Sequence, residues 1–363
     1  MTPLVLLLLL GLLVQRGDAA LVETKRLEEY RKRNYTWPVT ETNPNTDGWK
    51  RLMYRRLAQV ERIQSDDDRY NGWMSVMSQA ISVPNFTENG WGLARAPAEI
   101  VEELKDSLRN GMADAKEEHY LNVIDTAERP LWIKQDSLNQ KVLETLKPMH
   151  EEWSGVPLEG SLAYGLRVYR NNSLLYMHVD RLRTHVISCI LHVDHSEDSD
   201  PWPIFIEDYQ GNTNEVILES GDMLFYGELS ARHDMSSTIR QTLTTSIRSF
   251  CRLVESSKVI HGRPRRFNGS WYSSIFVHYQ PVGWDMDKAD LEPHYAIPAH
   301  WHTAQKLDPR LEELIMISTS MYEPQCPDLW CGTKKTVKWK GPGIEGKVIT
   351  TGFKYDNNLN DEL

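Results

Sequence analysis

His178, Val179 and Asp180 lie in the stretch LRVYRNNSLLYMHVD, and a lone His261 follows much later in HGRPRRF. In an extended strand successive side chains alternate faces, so His178 and Asp180 project together. One imidazole and one carboxylate from this strand, joined by an imidazole from a later one, form a facial triad with open metal positions. On Fe(II), open positions are where a co-substrate and O2 bind. An isolated His-x-Asp also arises by chance, and two rivals stand beside it. His192-Val193-Asp194 repeats the tripeptide and is followed by His195, but it ends an apolar run before SEDSDPWP, which reads as a solvated turn. His233, in ELSARHDMSS, competes with His261 as the distal donor. His294, His300 and His302 sit in a Pro-containing stretch and read as ordinary polar histidines.

The flanks of the first tripeptide give it weight. In order come LRVYRNNSLLYMHVD, THVISCILHVD, DPWPIFIED, ESGDMLFY and HGRPRRFNGSWYSSIFVHYQP, from Tyr164 to Tyr279. In these pieces the chain resembles the prolyl 4-hydroxylase-like family of Fe(II)/2-oxoglutarate dioxygenases. The resemblance implies a mainly β fold, a double-stranded β-helix or jelly roll, with Fe(II) held at His178, Asp180 and His261. It implies 2-oxoglutarate as co-substrate, decarboxylated to succinate and CO2 as a substrate carbon is hydroxylated, and L-ascorbate as the reductant that keeps iron active. Relatives carry a Lys or Arg nine or ten residues after the distal histidine to anchor the co-substrate, where this chain has Ser270 and Trp271. Arg263, Arg265 and Arg266 lie nearby, and a guanidinium suits bidentate carboxylate binding, so Arg263 is the expected anchor. Tyr169, nine residues before His178, stands where relatives place a co-substrate tyrosine.

Positioning these groups needs a strand-rich core and something to brace it. From Tyr164 onward, short β-branched and aromatic runs alternate with turn signals, as a jelly roll requires. Upstream the period is helical. Trp49, Leu52, Met53, Leu57, Val60 and Ile63 form one stripe. Ile100, Val101, Leu104, Leu108 and Met112 form a second, and Leu138, Val142, Leu143, Leu146 and Met149 a third. Three amphipathic helices must bury those stripes, and packing along one sheet would brace the barrel. The expected organisation is a signal segment at 1–19, a helical region at 20–155, the dioxygenase domain at 156–282 and a tail at 283–363. One helix is expected in the tail, around Leu307 to Ile317. Gly227 to Val254, rich in Ser, Thr and Arg, interrupts the family pattern and reads as a substrate lid or a retained intron.

With 40% hydrophobic and 25% charged residues, the 363-residue chain can build one substantial core with additions. A net charge of -10 gives no electrostatic footprint for nucleic acid. Leu4 to Val14 is an uninterrupted apolar run, and Gly17 and Ala19 offer a signal-peptidase site. After it no stretch is long and apolar enough to span a membrane. The terminal Asn360-Asp361-Glu362-Leu363 is a variant of the Lys-Asp-Glu-Leu retrieval signal, so the endoplasmic reticulum lumen is the expected compartment. Sequons at Asn34, Asn85, Asn171 and Asn268 are compatible with a glycoprotein there. Cys326 and Cys331 bracket PDLW and suit a loop-closing disulfide, while Cys189 in an apolar strand reads as a core thiol. In that compartment a hydroxylase of this family would meet nascent secretory chains, so a peptide or protein substrate, with peptidyl proline first, is expected. A catalytically inactive lumenal jelly-roll binding module is the alternative, motivated by Ser270 and Trp271. Neither the peptide nor the oligomeric state is legible.

Overall fold

The computed structural model describes residues 46–82, 90–119, 121, 123–226, 258–285, 297–298, 300–306, 314–317, 319–322 and 336–338. The apolar N-terminal run, Gly227 to Val254, His233, His294, the Cys326/Cys331 pair and the C-terminal retrieval-like sequence lie outside the described residues.

Four helical segments precede the core. They are α1 (Asp47–Val60), α2 (Asp66–Gly72), α3 (Ala98–Gly111) and α4 (Asp136–Ser154), and α2 runs on through a π-helical turn (Trp73–Ser78) into a last turn (Gln79–Ser82). Side chains start the first two: Thr46 accepts from the Trp49 amide and Ser65 from that of Asp68. Gly155, at φ +71°, ends α4 in the left-handed region where an L side chain is strained. The same part of the chain also supplies strands β1 (Trp91–Arg95), β2 (Lys116–Glu117), β3 (Ile124–Asp125) and β4 (Leu131–Trp132). The expected helical region is therefore mixed, and its short strands extend the sheets of the core.

Eight strands form that core: β5 (Leu158–Arg170), β6 (Leu174–His178), β7 (Ile187–His195), β8 (Ile204–Glu207), β9 (Thr213–Ile217), β10 (Asp222–Tyr226), β11 (His261–Arg263) and β12 (Trp271–Pro281). The first sheet runs β1-β10-β7-β12-β5-β4-β2. The second contains β6-β11-β8-β9 and is extended by β13 (Ile315–Ile317) and β14 (Ser320–Tyr322) on one side and β15 (Thr336–Lys338) on the other. Core neighbours are thus β5-β12-β7-β10 facing β6-β11-β8-β9, a double-stranded β-helix as the motif order implies.

The two faces of β7 show how the sheet is held. Cys189, Leu191 and Val193 point to the helices and pack with Ile100, Leu104, Leu108, Val142 and Leu146. Ile190 points inward, where it clusters with Leu224 and Tyr226 of its neighbour β10 and with Ile204 and Ile206 of β8 in the facing sheet. Each such apolar side chain contributes about 1.5–3 kcal/mol on burial. Cys189 is a free, buried thiol, as its apolar strand implies.

Two expectations change. Helices α3 and α4 brace the first sheet, but α1 goes to the other, where its arginines pair with Glu207 of β8. Arg56 donates Nε and Nη2 to Glu207 Oε2 at 3.0 and 2.8 Å, and Arg55 reaches Oε1 at 2.5 Å. In the tail, Ile315–Ile317 is a strand and not the end of a helix. Its β-branched ends pair with β14, and Met321 of β14 is buried beside Met177 of β6. Residues 307–313 of the expected helix lie outside the described residues.

Candidate metal centre and cavity

Antiparallel pairing of β6 with β11 sets His178 opposite His261. Gly262 permits the close approach: a Cβ there would meet the carbonyl oxygens of Tyr176 at 2.6 Å and Leu175 at 3.0 Å. Asp180, just past β6, brings its carboxylate to the same point. Its Oδ1 lies 3.9 Å from Nε2 of His178 and 3.9 Å from Nε2 of His261. One donor atom from each of the three lies within 4.8 Å of the others, and this is the one such group with metal-binding geometry among the described residues.

Both rings are aimed from behind by their own strands. Nδ1–H of His178 donates to the Tyr176 carbonyl at 2.8 Å, and Nδ1–H of His261 donates to that of Val259 at 3.0 Å. A carbonyl only accepts, so the hydrogen sits on Nδ1 and each Nε2 keeps its lone pair toward Asp180. Burial pushes His178 down to about 4, with the nearby Arg167 charge adding to the effect, and His261 down to about 3. Both imidazoles are therefore neutral near pH 7, the form that binds a metal. Burial pushes Asp180 up to about 8, against the hydroxyls of Tyr226 and Ser188, which favour its ionised form. Its Oδ2 is buried without a hydrogen-bond partner among the described residues. A buried carboxyl with an orphaned oxygen, facing two lone pairs, fits a divalent cation, whose charge would repay the desolvation.

The triad opens into a cavity of about 420 Å³. Ile190, Ile204 and Phe276 give it apolar walls, while Arg167, Tyr226 and His278 give it polar ones. His278 and His185 pack ring to ring at 3.8 Å, and Nδ1 of His278 shares a hydrogen bond with Ser188 Oγ at 2.7 Å. Burial holds both imidazoles below the usual histidine range. His278 was missed because β12 places it there only through its register with β7, opposite Ser188. The tail contributes too: Ser320 of β14 pairs with His178, and Thr319 lines the cavity.

The expected co-substrate residues are placed differently. Arg263 is buried, 4.4 Å over the Trp202 ring and 4.5 Å over that of Tyr272. It donates to the Trp202 carbonyl and, at 3.1 Å, to the Tyr272 hydroxyl, and it does not line the cavity. Two aromatic faces and a carbonyl hold the Arg263 guanidinium in the wall, off the cavity lining where the sequence had placed a co-substrate anchor. Arg265 reaches Glu215 at 3.1 Å and Arg266 reaches Asp125 at 2.5 Å. Tyr169 is buried behind the cavity, where its hydroxyl accepts from Arg167 at 3.3 Å. Of the rival donors, His192 is buried in β7, His300 packs on Trp73, and neither joins a metal-binding group.

No protein-family model and no curated protein matches the chain. Among solved structures it is similar to a prolyl-4-hydroxylase from Pseudomonas putida, with 16% identity and a TM-score of 0.37 over 54% of this chain and 94% of that one. It is similar to HygX from Streptomyces hygroscopicus, solved with nickel, 2-oxoglutarate and hygromycin B bound, at 11% identity and TM-score 0.36 over 55% and 86%. A 2OG-Fe(II) oxygenase family oxidoreductase from Burkholderia pseudomallei gives 13% identity and TM-score 0.33 over 52% and 84%. The chain thus resembles structures of prolyl-4-hydroxylase and other 2OG-Fe(II) oxygenases.

Proposed function

We propose that the protein is an Fe(II)- and 2-oxoglutarate-dependent dioxygenase that hydroxylates a protein side chain, with peptidyl proline the leading substrate, in the endoplasmic reticulum lumen. The observation that carries the reading is the convergence of two neutral Nε2 lone pairs and the Asp180 carboxylate at the buried end of a cavity. His178, His261 and Asp180 would hold the iron, which with 2-oxoglutarate, and with ascorbate as reductant, supplies the oxidising chemistry. Three protein donors leave positions for the co-substrate and O2.

The chain's own residues do the rest. The carbonyls of Tyr176 and Val259 fix the imidazole tautomers, and Tyr226 and Ser188 orient Asp180. Ile190, Ile204 and Phe276 keep the reaction space apolar. Leu162, 41% exposed, and Arg181 stand at the cavity rim, where an incoming peptide would lie. The lumenal setting is supported by the apolar run Leu4 to Val14, the Asn-Asp-Glu-Leu sequence and two exposed sequon asparagines, Asn171 and Asn268. The test is succinate formation from 2-oxoglutarate by the purified Fe(II)-loaded protein with Pro-rich peptides. Peptide-stimulated succinate with a matching gain of one oxygen on proline is expected. Succinate without hydroxyproline would overturn the substrate, and no succinate would favour the inactive binding module.

A further inference from the structure

Two arginines line the cavity, and they differ. Arg181 is exposed at the rim, whereas the side chain of Arg167 on β5 is only 12% exposed in the wall. A guanidinium is always charged, so a buried one facing a cavity is built to meet an anion or to be neutralised. Its charge is met by one carboxylate, and what it has left to offer is N–H donors. Glu118, which does not line the cavity, accepts from Arg167 Nε and Nη2 at 2.6 Å each and from the Tyr164 hydroxyl at 2.7 Å. Arg167 Nη1 donates to the Tyr169 hydroxyl at 3.3 Å. These contacts use three of the five N–H donors of a guanidinium.

The position of the group follows from β12. Phe276 and His278 both line the cavity, one pleat repeat or about 7 Å apart along the strand. His278 stands level with the triad, because it bonds to Ser188 and the Ser188 hydroxyl lies against Asp180. The Arg167 guanidinium carbon lies 5.2 Å over the Phe276 ring and 5.7 Å over that of Tyr169. The cavity that Arg167 lines also holds His178, Asp180 and His261, so one ligand can face both the cation and the triad.

We propose that Arg167, steadied from behind by the Tyr169 hydroxyl, binds the distal carboxylate of the 2-oxo dicarboxylate co-substrate. The anchor then comes from β5, the first core strand, instead of the segment after His261, and Glu118 is a positioning residue that fixes the fork. The inference rests on the Fe(II)/2-oxoglutarate reading. It also accounts for Ser270 and Trp271, since a cation from another strand makes a basic residue there redundant.

The test compares 2-oxoglutarate with 2-oxobutyrate, which lacks the distal carboxylate. Each is titrated calorimetrically into the Mn(II)-loaded protein, and Mn(II) affinity is measured separately. The wild type should prefer 2-oxoglutarate by roughly ten- to hundredfold, the range of a charge-assisted contact. In Arg167→Gln/Glu118→Gln, which removes both charges together, that preference should collapse toward onefold with Mn(II) and 2-oxobutyrate affinities retained. Arg167→Lys, which keeps the charge without the fork, should be intermediate and covers the case of a double variant that fails to fold. Full preference in either variant would overturn the anchor while leaving the function standing. A wild type that binds Mn(II) but neither acid would overturn both.

Discussion

The chain carries His-Val-Asp twice, at His178-Val179-Asp180 and His192-Val193-Asp194, and the fold treats the copies differently. His178 lies opposite His261, and its Nε2 keeps its lone pair toward Asp180. His192 lies opposite Ser274, with both nitrogens occupied: Nδ1 at 3.1 Å from the Ser273 carbonyl and Nε2 at 2.9 Å from His195 Nδ1. Its ring also stacks on Tyr272 at 4.1 Å. Asp180 keeps a buried Oδ2 with no hydrogen-bond partner among the described residues, whereas Asp194 spends Oδ1 on the His195 amide at 3.0 Å. A tripeptide supplies donors, but the strand beside it decides whether they point at one another. The first copy costs stability until a cation arrives; the second is satisfied as it stands.

The contrast breaks most sharply under alanine. His178→Ala, Asp180→Ala or His261→Ala should abolish turnover, because each removes one of three donors. His192→Ala should leave turnover near wild type while lowering stability by about 1–3 kcal/mol, as buried partners lose their contacts. Steady-state succinate formation and denaturant melts separate the two. Comparable turnover loss from both copies would erase the distinction.

A subtler disturbance tests the register. Gly262→Ala forces β11 away from the Tyr176 and Leu175 carbonyls without touching a donor. Metal affinity should fall roughly ten- to hundredfold, the scale of disturbed outer-shell support. An unchanged affinity would mean that the close approach of β11 and β6 does not set the site.

The pH response of the metal-free protein gives a smaller effect of definite sign. A carboxyl raised to about 8 favours the folded state fully when protonated, below its unfolded value near 3.9, and loses that contribution as pH rises through 8. His178 and His261, lowered to about 4 and 3, stabilise fully above their unfolded value near 6.5 and lose that as pH falls. Between pH 6.5 and 8 only Asp180 of the three titrates in the folded state. The chelator-treated protein should lose about 2 kcal/mol across that window from this residue. Asp180→Asn should flatten the slope, and Mn(II) affinity should rise over the same range as the competing proton leaves. Equal slopes in wild type and Asp180→Asn would show the carboxyl already ionised without metal.

Much of this was legible. Period-two runs from Tyr164 onward and the second and third helical stripes implied the jelly roll and its braces, because those patterns reflect which face is buried, whereas the first stripe, α1, went to the other sheet. The triad was legible from its residue types and spacing, although β6 ends at His178 and Asp180 reaches the site from just past the strand. Arg167 was not, since its role depends on Glu118, a residue 49 positions earlier that only the folded sheet edge brings behind it. Arg263 misled through proximity to His261: its partner Trp202 lies 61 positions away and takes the guanidinium out of the cavity. The tail strand that pairs with His178 was hidden by an Ile-Met-Ile run too short for its period to separate helix from strand.

The central claim, that the first copy and His261 form one metal centre and the second copy forms none, is tested most directly by Mn(II) stoichiometry. Chelator-treated wild type, Asp180→Ala and His192→Ala proteins are each titrated with Mn(II), and the free ion is read by its electron paramagnetic resonance signal. One tightly bound ion per chain in wild type and His192→Ala, and none in a folded Asp180→Ala protein, is the predicted result. A full equivalent retained by Asp180→Ala, or lost from His192→Ala, would contradict it.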